Sequence, residues 1–327
     1  MLRSLLGRFL ADSDRCHRKV FSHSGLTPAS ECLEERQLLW PAPPKVTPAK
    51  ANSSLKPLLN IRAVTWSLYG TLLNISEGQI YLLHPQQVRM QIAMEKTITE
   101  FNMWNSMSRK PGAPWEYFLQ LYTKLVEDKR LVASGKKGEP VEVNAAHVWR
   151  SLIEKLVKKD YTWDTELYGD LDEYAEKVAY FFHSSLQGVG AGRGAFQALQ
   201  SVWSGAFTQA IIGDAQCFSL VQLTRALRAQ GEISNLSNLI SPLCNTLSYQ
   251  QGVKQPAPSL FESSLRQFKR QGIAPKEIVH VTTRLRDDLA VAKKLGIKTA
   301  LYTGDKAALQ ATAADMKDPA SRPDRIL

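Results

Sequence analysis

The hydrophobic pattern changes period along the chain. Around residues 62–73 the positions Val64, Trp66 and Leu68 alternate with smaller or more polar ones, which predicts a half-buried strand. Gly70 follows, supplying backbone freedom where the strand turns. From about residue 77 to 190 the period becomes helical. Val88, Ile92, Met94 and Ile98 mark one helix over 86–101. Trp115, Phe118, Leu119, Tyr122 and Leu125 mark another over 115–126. Segments 147–156 and 174–182 repeat the pattern, and 135–140 reads as an exposed loop. Beyond 190 the reading alternates. A helix over 194–203, a strand over 206–214 and a helix over 218–230 predict an α/β core.

The segment before the first strand differs. Residues 2–10 and 31–39 are short enough to read as brief helices, and Pro41, Pro43, Pro44 and Pro48 make the next stretch linker-like. The expected organisation is an N-terminal extension and linker over 1–57, a first core part over 58–77, a helical insertion over 78–190 and a second core part over 191–327.

Composition narrows the partners. At 327 residues and 44% hydrophobic, the chain can bury a sizeable core. With 41 basic against 31 acidic residues the formal charge is +10, which leaves a polyanion as one possible partner but says nothing about fold. No Lys/Arg block stands out, so nucleic acid is not expected. The cysteines at 16, 32, 217 and 244 form no Cys-x-x-Cys pair, and reduced thiols in a cytoplasmic protein are the expectation. No apolar run reaches a membrane span, so no membrane partner is expected. His17 and His23 form no metal set with Cys16, and Thr303-Gly304-Asp305-Lys306 lacks the full spacing of a phosphate loop. Trp104, Trp115, Trp149 and Trp163 either line a pocket or pack within the helical bundle; packing is the expected reading.

Ser67-Leu68-Tyr69-Gly70-Thr71-Leu72 resembles the first motif of the haloacid dehalogenase (HAD) superfamily. That motif reads Asp, any residue, Asp or Tyr, Gly, Thr, then Leu or Val; Tyr at the third position occurs in the dehalogenase-like branch. Ser67 stands where the family has its nucleophilic aspartate. Three later strand ends resemble the remaining motifs in order. Gly213 falls on the family's Ser or Thr. Gly252, Pro256, Pro258 and Phe261 match the third motif, but its lysine falls on Gln255, with Lys254 adjacent. His280 and Val281 match the fourth, with Thr283 at the first acid and Asp288 at the second.

The resemblance implies a Rossmann-like core with a parallel sheet and an inserted, mainly helical cap that shapes ligand choice. It places the candidate site at Ser67, Tyr69, Gly213, Gln255, Thr283 and Asp288. In hydrolytic members the aspartate attacks, the lysine neutralises charge and the first acid ligates magnesium. Serine is a weak nucleophile unless a base activates it, glutamine carries no charge, and threonine is a poor magnesium ligand. The expectation is a catalytically impaired protein that binds a small anionic ligand or a protein partner, with no cofactor. A divergent hydrolase acting on a phosphate ester or 2-haloacid, with magnesium, is the alternative. A polyanion-binding protein is the second alternative.

Overall fold

The computed structural model describes residues 40–106, 112–132 and 138–327. The brief helices expected at 2–10 and 31–39, together with Cys16, Cys32, His17 and His23, lie outside the described residues.

Six strands form one parallel sheet. In chain order they are β1 (Ala63–Trp66), β4 (Thr208–Gly213), β5 (Thr246–Leu247), β6 (Ile278–Thr282), β7 (Lys298–Leu301) and β8 (Arg325–Ile326). Their spatial order is β5-β4-β1-β6-β7-β8, so β1 is central. Ala63 pairs with Thr208 on one side and with Ile278 on the other. The expected alternation of exposed and buried positions in β1 is absent, because all four residues are buried. A central parallel strand is covered on both faces, so polar Thr65 is enclosed with its neighbours. β6 is buried along its whole length for the same reason.

The chain order of the strands reverses direction at β1, and ligands of open α/β sheets bind at such switch points, beyond the strand carboxyl ends. Immediately after β1, the two-residue strand β2 (Leu73–Asn74) pairs antiparallel with β3 (Gly190–Ala191). This ribbon carries the chain out of the core and back. Between its strands lie α1 (Gln87–Glu100), α2 (Pro114–Val132), α3 (Ala145–Val157), the single turn α4 (Thr165–Tyr168) and α5 (Leu171–Leu186). Asn144 caps α3 by accepting from the Ala146 N–H, and Asp170 caps α5 by accepting from Asp172 and Glu173. The helical cap has its own core, centred on Trp149, Tyr122, Phe181 and Phe182.

The apolar stripe of α1 differs from expectation. Met94 and Ile98 are buried, but Val88 and Ile92 are exposed, and Met90, Ala93 and Thr97 complete the inner face. The tryptophans pack as aromatic side chains: Trp149 lies against Tyr122 and Phe182, and Trp163 stacks on Tyr174 at 4.9 Å. Trp104 is exposed.

After β3 the core resumes with α6 (Ala195–Ser204), α7 (Ser219–Arg228), the single turn α8 (Ser248–Gln251), α9 (Pro258–Arg270), α10 (Ala290–Lys294) and α11 (Ala313–Lys317). The proline-rich segment is bound to this core as an extended strap. Trp40 meets Phe181 edge-on, the Ala49 N–H donates to Thr303, and Ser54 bridges to Ile326 on the last strand. Proline supplies an already restricted backbone, so fixing it costs little entropy.

Cap and core are also joined at a second seam. Val141 forms an antiparallel bridge with Val253, the Glu142 N–H donates to Gly252, and the Lys254 N–H donates to Pro140. Glu139 accepts from both the backbone and hydroxyl of Ser259.

Candidate functional site

Ser67 follows β1 directly, and its N–H donates to Val281, which keeps it in sheet register. The turn then closes through Gly70, whose φ of +79° favours glycine. A Cβ there would also stand 3.0 Å from both Ala308 and the Thr283 hydroxyl. At the end of β4, Gly213 has φ +141°; a Cβ on it would lie 3.4 Å from Ser67 Oγ and 3.9 Å from Gln255 Nε2. The first, second and third strand-end positions therefore meet around Ser67. The Ser67 hydroxyl donates to Asp288 Oδ2 at 3.2 Å, and Thr282 donates to the same oxygen at 2.7 Å.

Five of the six expected positions are thus gathered at the sheet edge. Tyr69 lines the same cleft, but its hydroxyl is committed to Ser219 and Gln222, both at 2.7 Å. Burial raises its pKa, so it serves as a neutral phenol tying β1 to α7.

Burial also pushes Asp288 up to about 6, with Arg284 opposing and Asp214 reinforcing the shift. Asp214 itself is bridged: Oδ1 accepts the Gln255 N–H at 2.8 Å and Oδ2 accepts Arg284 Nη1 at 2.7 Å. Arg284 further donates to Asp287 at 3.1 Å and to Gln310 at 3.3 Å. Sequence reasoning missed Arg284. It adjoins Thr283 in the chain, but its partners come from three separate segments, so only its position after the strand end was a signal.

Gln255 and Thr283 are buried, and both side-chain polar atoms of Gln255 and the Thr283 hydroxyl have no protein hydrogen-bond partner. Gln255, Ser67, Asp214 and Arg284 line a cleft of about 330 Å³. Lys254 and Arg130, both exposed, line it too. The cap contributes Glu142, whose carboxylate accepts from Ser248 at 2.7 Å and Gln216 at 3.0 Å. Glu142 was also missed; its role depends on the cap meeting the core.

His280 plays no part in activating Ser67. It lies in β6, bonded to Thr65 at 3.0 Å and edge-on to Phe261, and burial lowers its pKa to about 3. Among the described residues, no histidine hydrogen-bonds Ser67.

The donor set does not suit the magnesium that hydrolytic HAD proteins hold. That ion requires near-octahedral oxygen ligands at about 2.0–2.1 Å. Both oxygens of Asp214 are engaged, one by the Arg284 cation; Asp288 Oδ2 accepts two hydroxyls, leaving only its Oδ1 without a partner. Among the described residues, no three His, Cys, Asp or Glu side chains form a metal-holding group. No helix among them is long and apolar enough to cross a membrane.

No family model and no curated protein matches the chain. Solved structures do resemble it. The 2-haloacid dehalogenase of Pseudomonas syringae pv. Tomato is 16% identical, with 74% of this chain and 86% of that one covered and a TM-score of 0.42. The HAD-family protein YfnB of Bacillus subtilis is 12% identical, with 82% and 94% covered and a TM-score of 0.40. A HAD family enzyme of Bacteroides thetaiotaomicron is 13% identical, with 76% and 96% covered and a TM-score of 0.40. The strand order, the helical insertion directly after the first strand, and the meeting of the strand-end positions around Ser67 give this chain an open parallel α/β sheet with an inserted helical cap, the architecture that its strand-end motifs led us to expect.

Proposed function

We propose that this HAD-like protein lacks the hydrolytic chemistry of its fold and uses its cleft to bind a small anionic ligand or a segment of a partner. The carrying observation is Gln255. It is 3% exposed, lines the cleft beside Ser67, and has no protein partner for either amide atom. A buried amide left unpaired costs about 1–3 kcal/mol, so a polar ligand atom there is favoured. Lys254 and Arg130 on the same walls favour negative charge.

The missing chemistry supports the same reading. Ser67 offers a hydroxyl where a carboxylate would attack, Gln255 brings no charge, and Thr283 offers no acid. Catalytic groups that act as a unit are not rescued by one survivor. The test is a steady-state assay against phosphate esters and 2-haloacids, with and without magnesium, and with S67A as control. No turnover is expected. Turnover of about 1 per second or more, abolished in S67A, overturns the reading. A ligand screen by thermal shift should give hits that Q255L loses.

The contact between Ser67 and Asp288 supports a second reading, a divergent hydrolase. A carboxyl group titrating near 6 beside a hydroxyl is a weak base poised at the right atom. Activity lost equally in S67A and D288N would favour it.

A further inference from the structure

The cation at this site belongs to the chain. Arg284 is positioned by its backbone: its N–H donates to the Thr282 hydroxyl, and the flanking residues Thr283 and Leu285 exchange backbone hydrogen bonds with Gln310. Its side chain, 12% exposed, is then held by Gln310 at Nε, Asp214 at Nη1 and Asp287 at Nη2. Asp214 directly follows β4, while Asp287 and Asp288 follow β6. Three carboxylates thus crowd one sheet edge, Asp288 fully buried and Asp214 and Asp287 partly so, and charge withdrawn from water must be offset.

We propose that Arg284 is a built-in replacement for a divalent cation, its guanidinium fixed between Asp214 and Asp287 so that the site is charge-balanced and closed to magnesium. A guanidinium keeps its charge at all physiological pH values and cannot be chelated away. The cleft is then competent whatever the metal supply. Burial alone would pull the Arg284 pKa down, but Asp288, Asp214 and Asp287 together hold it above the ordinary value, consistent with a permanent cation. The inference extends the binding reading without needing a ligand for its test, so either can fail while the other stands.

The test compares thermal unfolding of wild type and R284Q, with millimolar magnesium chloride or with sodium chloride at matched ionic strength. Wild type should melt at the same temperature in both. R284Q should melt several degrees lower in sodium chloride and regain most of that loss in magnesium, because three unbalanced carboxylates then attract the ion. A magnesium-specific rise in the wild type, or an R284Q protein indifferent to magnesium, overturns the proposal. If R284Q does not fold, T283D decides. It adds a carboxylate while keeping Arg284, and should bind no magnesium by titration calorimetry. Measurable magnesium binding by T283D would show that Arg284 does not close the site.

Discussion

Replacing Glu142 by glutamine should flatten part of the pH dependence of stability. Glu142 crosses from the cap to the core, where Ser248 and Gln216 donate to it. Burial, then the charge of Asp214, pushes its pKa from 4.5 up to about 7, against the Ser248 hydrogen bond and Lys254. The folded state therefore holds this proton when the unfolded chain has lost it. Stability is fully present below the unfolded value and is lost as pH rises through the folded one. The rise from 4.5 to about 7 sets an upper bound of about 3 kcal/mol. Glutamine has the same shape, and Ser248 can accept from its amide while donating to Ala215. E142Q never ionises, so its stability relative to wild type should rise by about 2.5 kcal/mol between about pH 5 and about pH 8. The measurement is urea unfolding followed by tryptophan fluorescence at both pH values. The raised pKa of Asp288 is common to both proteins and cancels in the difference. Two stability curves that stay parallel would refute the reasoning, because the carboxyl would then be ordinary and the cap seam wet.

Tyr122 is fully buried against Trp149 and Phe182, and its hydroxyl has no partner; Y122F should stabilise by about 1 kcal/mol in thermal or urea unfolding. Gly78 has φ +65°, and a Cβ on it would stand 2.5 Å from Ala308 Cβ. G78A should therefore destabilise by at least about 2 kcal/mol by the same measurement. S67D would set a carboxylate beside Asp288. It should show no hydrolysis in the steady-state assay, and its melting temperature should fall at neutral pH and recover on acidification, as one of the two acids takes up a proton.

The sequence by itself determined the architecture. Hydrophobic period separated helices from strands, since a helix and a buried strand repeat their apolar positions differently. The four strand-end motifs, in order around a helical insertion, then pointed to one parallel fold. It also placed five candidate positions at the site, because strand ends of a parallel sheet share one edge whatever the side chains are. Faces were less legible. Val88 and Ile92 have the same character as Met94 and Ile98, and only the position of α5 against α1 decides which of them face inward. β1 looked half-buried because Thr65 is polar, but two flanking strands and two covered faces enclosed it. Partnerships were invisible. The cation that pairs with Asp214 is Arg284, seventy positions later. Glu142 and Ser248 are separated by more than a hundred. Local sequence fixes backbone preference within a few residues, whereas ion pairs and buried hydrogen bonds depend on which distant segments packing brings within about 3 Å. Only the tertiary structure could decide that the charge balance at this site comes from the chain's own arginine.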